Sequence, residues 1–241
     1  MSALHAEWTK TRTVPGTVWL LLGVVALTVP LGALAASATP VGGDPAKASL
    51  TGVALGQAVV AILAVTAISG EYGTRMIATT LTALPRRTEM LAAKGTVVAG
   101  LTLAAGTAAV LGSVVVGRIL LPNLSLTDGA VARVAVGSVL YLTLVALLSL
   151  GIATVVRDAA AAVGVVLGLL YLSPIIAGLV SDPDWYRRLQ QVSPMTAGLA
   201  VQVTVDVESQ PIAPWTGLAV LAAWAAAALV AGGVTLRVRD A

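Results

Sequence analysis

Cysteine and phenylalanine are missing from this 241-residue chain, histidine occurs once, at His5, and charged residues are only 10% of the total. Without cysteine there is no disulfide framework, no thiolate metal site and no cysteine nucleophile. A lone histidine, with no acid cluster to stand in for more, leaves metal ligation without a donor set. A serine–histidine triad would depend on His5, which sits on the N-terminal tail. Neither a G-x-x-x-x-G-K-[ST] phosphate loop nor a G-x-G-x-x-G fingerprint occurs, so the chain reads as no enzyme and binds no cofactor of its own.

The scarcity of charge excludes more than catalysis. Ordinary soluble domains are about 45–50% apolar and about 25% charged, whereas this chain is 58% hydrophobic. Its 14 cations and 11 acids cannot cover the surface of a water-soluble globule of this length. The remaining apolar surface has to face lipid. The net charge of +3 is scattered between apolar runs and forms no patch, so nucleic acid is not an expected partner. Arginine outnumbers lysine 11 to 3, which reads as GC-rich codon usage.

A hydrocarbon core of about 30 Å needs roughly 20 apolar residues in a helix. Six such runs are present, near 17–37, 51–70, 95–117, 133–156, 159–180 and 215–236, and none holds an internal acid. The expected fold is therefore an all-α membrane protein in one transmembrane domain, residues 1–241. With the N-terminus inside, nine cations lie on the inner side (Lys10, Arg12, Arg75, Arg86, Arg87, Lys94, Arg157, Arg237 and Arg239) against five outside. That bias places both termini in the cytoplasm. The first run has a rival reading as a secretory signal peptide, with Lys10 and Arg12 before it and Ala-x-Ala patterns at its end, but it exceeds the usual 7–15 apolar residues. No internal repeat is visible, which disfavours inverted-repeat carriers.

Two cytoplasmic segments carry amphipathic patterns. In residues 2–13, Leu4 and Trp8 share a helical face while Lys10 and Arg12 lie elsewhere, as in an interfacial helix, with a frayed tail anchored by Trp8 as the alternative. In the 70–95 loop, Ile77, Leu81 and Leu84 recur at i, i+4 and i+7 while Arg75, Thr79 and Thr82 point away, and Pro85 ends the turn before Arg86 and Arg87. Such a helix fits lipid headgroups or a groove on another protein equally well.

The same loop resembles the one between spans two and three of ABC-2 type transporter permeases, in the form found in high-GC Gram-positive bacteria. The residues that carry the resemblance are Gly70, Glu71, Tyr72, Met76, Ile77, Thr79, Thr80, Leu81, Pro85, Arg86, Arg87, Ala92, Ala93 and Lys94. The start, Glu7-Trp8-Thr9-Lys10 with Arg12-Thr13, also looks like the family's, and six spans with both ends inside match its topology. Wider members carry Glu-Arg-Glu-x-Gly-Thr where this chain has Glu71-Tyr72-Gly73-Thr74. The resemblance implies a type V exporter-like fold with an N-terminal interfacial helix and a cytoplasmic coupling helix. It implies that Glu71, Tyr72, Thr74, Arg75, Met76, Ile77, Thr80 and Leu81 contact a separate ATPase subunit, with Arg86 and Arg87 flanking. ATP and magnesium would then belong to that partner.

The long outer loop, 181–214, joins WYRRLQQ to SPMTAGLAVQ and an acidic VDVESQ. The family places short re-entrant or interfacial helices here. Trp185, Tyr186 and Pro194 are gate candidates, with a simple extracellular cap as the equal alternative, and Arg187 and Arg188 have Asp182, Asp184, Asp206 and Glu208 as possible partners. Gly52-x-x-x-Gly56 and Gly164-x-x-x-Gly168 permit close helix or dimer contacts, and the family uses its fifth span between copies. The reading is thus a permease subunit in a bacterial cell membrane, dimeric with a second copy or paralogue, exporting a hydrophobic or amphipathic compound such as an antibiotic, peptide or lipid. A non-transporting scaffold or immunity protein is the alternative. An ion-coupled carrier is weakened by the lack of intramembrane acids.

Overall fold

The computed structural model describes residues 15–40, 43–73, 87–121 and 129–238, with the backbone alone at 71–73 and 87–88. Among these residues all regular structure is helical: α1 Pro15–Ser37, α2 Pro45–Ser49, α3 Val53–Gly73, α4 Arg87–Leu120, α5 Gly129–Val156, α6 Ala159–Leu167, α7 Ser173–Leu179, α8 Pro183–Val192, α9 Pro194–Leu199 and α10 Pro214–Val238. Six stretches are long and apolar enough to cross a membrane: α1, Val53–Gly70, Glu89–Leu120, α5, Ala159–Leu179 and α10. At 1.5 Å per residue these reach roughly 30–50 Å, which suits a multi-pass membrane protein.

Helix starts follow local chemistry. Asp44 precedes Pro45 and accepts from the Lys47 N–H at 3.0 Å, Asp158 accepts from the Ala161 N–H at 2.7 Å, and Asp182 precedes Pro183 and accepts from the Asp184 and Trp185 N–H groups. In each case a carboxylate satisfies donors that the first helical turn leaves open, and twice a proline takes the position where no donor is needed.

The core is organised around α5, which packs against α10, α3 and α4 and buries Tyr141, Leu142, Leu148 and Leu150 completely. The share of each span buried inside the chain is 61% for α5 but 17% for α1 and for Ala159–Leu179, so these two lie at the edge of the bundle. The segments 43–52 and 180–213 meet on one face, the loop face. The 156–159 link and the facing ends of α3 and α4, at Gly73 and Arg87, lie on the opposite face.

Two expected boundaries are moved and one expected span proves irregular. The helix of the third span begins at Arg87, and its apolar stretch at Glu89 and not near Gly95, so the expected 70–95 loop is helical through Gly73 and again from Arg87. Lys94 does not end the span, because its ammonium reaches the Ala67 carbonyl at 3.0 Å. The fourth span begins at Gly129 and contains Arg133, whose guanidinium reaches the Val203 carbonyl at 2.8 Å. The fifth span is not one regular helix: a π-turn, Gly168–Leu172, separates α6 from α7. Pro174 has no N–H to offer the Leu170 carbonyl, and the Ser173 hydroxyl donates to that oxygen instead at 3.3 Å. The expected interfacial helix of residues 2–13 and the coupling-helix residues 74–86 lie outside the described residues.

Candidate functional site

On the face opposite the loop face, two cations hold the ends of helices. Lys94 on α4 is 3% exposed, and its ammonium donates to the carbonyl of Ala67 near the end of α3. A buried ammonium is costly without such a partner, and the C-terminal end of a helix carries partial negative charge that favours it. Arg157 occupies the left-handed region at φ 65° in the link between α5 and α6, and its guanidinium points to the Thr235 carbonyl in the last turns of α10 at 3.4 Å. Lys94 therefore ties α3 to α4, and Arg157 ties the α5–α6 link to α10. Two of the cations counted for membrane orientation also brace the bundle.

An apolar groove of about 630 Å³ lies beside Lys94, lined by Leu91, Gly95, Ala99 and Leu103 of α4 with Leu147 and Leu229 from α5 and α10. Glycine and alanine at the α4 positions that face it leave the space the groove occupies.

The loop face is built around Asp44. Besides the Lys47 N–H, its carboxylate accepts from the Thr204 N–H at 2.6 Å, the Thr204 hydroxyl at 2.7 Å and the Val205 N–H at 3.1 Å. Burial alone would raise its pKa, but these hydrogen bonds outweigh it and hold the carboxyl below its ordinary value. Asp44 thereby fastens the α1–α3 connection to the segment before α10. Three more bonds seat that segment: Arg133 to the Val203 carbonyl, Gln202 Nε2 to Ser138 Oγ at 3.1 Å, and Trp224 Nε1 to the Val192 carbonyl at 2.9 Å. Beneath it, the Tyr141 hydroxyl donates to Gln57 Oε1 and the Tyr171 hydroxyl donates to the Ala54 carbonyl at 2.6 Å.

The gate candidates are not brought together. Trp185 and Tyr186 lie on α8 and are exposed, whereas Pro194 is buried at the start of α9. Arg188 lies over the Trp185 ring, 5.7 Å from its centroid. Asp182 accepts from the backbone of its own helix start, and no ion pair joins it to Arg187 or Arg188 among the described residues. The cap is the stronger local interaction because it needs no long side chain to be held still.

The two glycine pairs differ. A Cβ on Gly52 would sit 2.0 Å from the Thr28 carbonyl oxygen, and one on Gly56 would sit 2.2 Å from Thr28 Oγ1, so this pair forms the close contact of α3 with α1. At Gly164 and Gly168 a Cβ would meet nothing within 4 Å. Of the ATPase-contact candidates, Glu71 and Tyr72 continue α3 and Arg87 opens α4, while Thr74, Arg75, Met76, Ile77, Thr80, Leu81 and Arg86 lie outside the described residues, as do Leu4, Trp8, Lys10 and Arg12.

Asp44 and Gln202 were not singled out from sequence, and Lys94 and Arg157 only as part of a charge or motif pattern. Asp44 alone carried a readable signal, since Asp-Pro announces a helix start. Its bonds to Thr204 and Val205, 160 residues away, leave no local trace. Comparison with known proteins finds no matching family model and no matching curated relative for this chain.

Proposed function

We propose that the chain is the membrane-spanning permease subunit of an ATP-binding cassette transporter of the ABC-2 type, exporting a hydrophobic or amphipathic compound. The observation that carries this reading is the run from Gly70 to Lys94, which is similar to the family's coupling loop. Two structural features support it. The loop leaves the membrane from two helices that Lys94 ties together, so a push on it moves α3 and α4 jointly. The apolar groove at that end suits a cargo taken from the membrane better than a hydrated ion. ATP and magnesium are held by the partner ATPase, a second permease copy or paralogue completes the pathway, and both termini lie in the cytoplasm of a bacterial cell.

The test is co-expression with a candidate ABC ATPase subunit from the same organism. The two proteins should co-purify, and the membrane-reconstituted complex should hydrolyse ATP faster than the ATPase alone. Glu71→Ala or Arg75→Glu should preserve insertion and lower this stimulation several-fold. A chain that inserts normally but neither retains nor stimulates the ATPase is not its permease partner.

A further inference from the structure

A cavity of about 290 Å³ opens on the loop face between α2, the start of α3 and the 190–212 segment, at the lower end of the size range of small-ligand sites. Lys47 lines it, and its ammonium has no hydrogen-bond or ion-pair partner among the described residues. Gln202, only 4% exposed, lines it too. Its Nε2 donates to Ser138 Oγ at 3.1 Å and toward the Leu50 carbonyl at 3.5 Å, while its Oε1 accepts nothing among the described residues. Several other donors at this cavity are committed to the protein, while the Gln210 side-chain amide, which also lines it, has no hydrogen-bond partner among the described residues. Thr51 Oγ1 donates to the Lys47 carbonyl at 3.1 Å, Thr196 Oγ1 to the Gln190 carbonyl at 2.9 Å, and Gln190 Nε2 to Tyr186 Oη at 2.7 Å.

The cavity therefore offers the acceptor lone pairs of Gln202 and Thr196 beside one cation, with the Gln210 amide able to donate to an anion. A complementary ligand must bring its own donors. Ammonium donors are opposed by Lys47, whereas uncharged hydroxyl groups can meet these acceptors without that cost. The cation calls for an anionic group, and no carboxylate lines the cavity to compete for it. A single ammonium with no arginine fork beside it acts as a point charge, which suits a phosphate ester better than bidentate carboxylate recognition.

We propose that this cavity binds a polyol phosphate, with its hydroxyls on Gln202 Oε1 and Thr196 Oγ1 and its phosphate over Lys47. The chemistry has two sources, the headgroup of an anionic glycerolipid or a soluble polyol phosphate. The proposal stands whether or not the chain is a transporter.

The experiment uses the full chain in phosphatidylcholine nanodiscs. Glycerol 1-phosphate is titrated by calorimetry, and phosphatidylglycerol is titrated by native mass spectrometry. Saturable binding of the first identifies a soluble ligand, and binding of the second alone identifies the lipid. In either case Lys47→Met should weaken binding roughly tenfold, as expected for a lost charge-assisted bond. Because Gln202 is buried, Gln202→Met is paired with Thr196→Val and with melting curves, and at least one properly folded variant should bind several-fold more weakly. Inorganic phosphate and phosphatidic acid, which lack the hydroxyls, should bind more weakly than their counterparts. No saturable binding of either probe, an unchanged affinity in Lys47→Met, or equal affinity for inorganic phosphate and glycerol 1-phosphate overturns the proposal.

Discussion

Single side chains do two kinds of work in this molecule, and their locations separate them. Asp44 is ionised in the fold and stabilises the loop face through hydrogen bonds that need its negative charge. Its folded pKa lies below the unfolded value of about 3.9, so its contribution is complete above that pH and is lost as pH falls through the folded value. Asp44→Asn should lower stability at neutral pH by about 1 kcal/mol, since the site is partly open to solvent and the amide keeps one acceptor. Melting curves in detergent from pH 7 to pH 3 should show the acid-side loss in the native chain and a flatter profile in the variant. Lys94 is a buried cation on a carbonyl. Lys94→Met keeps the hydrocarbon stem and should change stability by less than about 1.5 kcal/mol, whereas Lys94→Glu buries an anion against the Ala67 oxygen and should cost more than about 3 kcal/mol. Equal melting temperatures for the two variants would show that the ammonium is not seated as described.

At the scale of helices, small residues and one proline set the geometry. The α1–α3 contact depends on Gly52, where any Cβ meets the Thr28 backbone oxygen. Gly52→Ala should therefore cost about 1–3 kcal/mol by forcing the helices apart, although alanine is the better helix former. The π-turn before Pro174 adds one residue to the fifth span and so sets where Tyr171 points. Pro174→Ala lets the helix become regular and turns α6 relative to α7, drawing Tyr171 away from the Ala54 carbonyl. A double-mutant cycle should then show Tyr171→Phe costing about 0.6–1 kcal/mol in the native background and close to nothing with Pro174→Ala. Additive effects would mean that the turn does not position the tyrosine.

Much of this element-level architecture was legible from residues alone. The apolar runs gave six spans because charge in lipid is costly, whatever the tertiary contacts. What was not legible came from charges tolerated inside helices: Lys94 and Arg133 looked like boundaries, yet each finds a carbonyl on another element. The π-turn followed from Pro174 in principle, but the compensating hydroxyl at Ser173 shows only in three dimensions. The loop face was least readable, since Asp44 and Gln202 act through partners far along the chain.

As a whole molecule, the chain keeps its packing on α5 and leaves α1 and the fifth span largely uncovered by its own residues. Gly164 and Gly168 lie on this outer surface with nothing near them. In the dimer we propose, Gly164→Leu should leave the melting temperature of the single chain nearly unchanged and shift the oligomeric state on size-exclusion chromatography in nanodiscs. The opposite pattern would place this surface inside the fold. The central claim, that the connection between the second and third spans docks an ATPase, is accessible because the chain has no cysteine. A cysteine at Thr80 can be coupled to a photo-crosslinker without background from other thiols, with Trp185→Cys on the loop face as the control. Docking of this connection predicts an ATP-sensitive cross-link to the co-expressed ATPase from position 80 and none from position 185. Equal cross-linking from both positions, or none from position 80 in a correctly inserted chain, would contradict it.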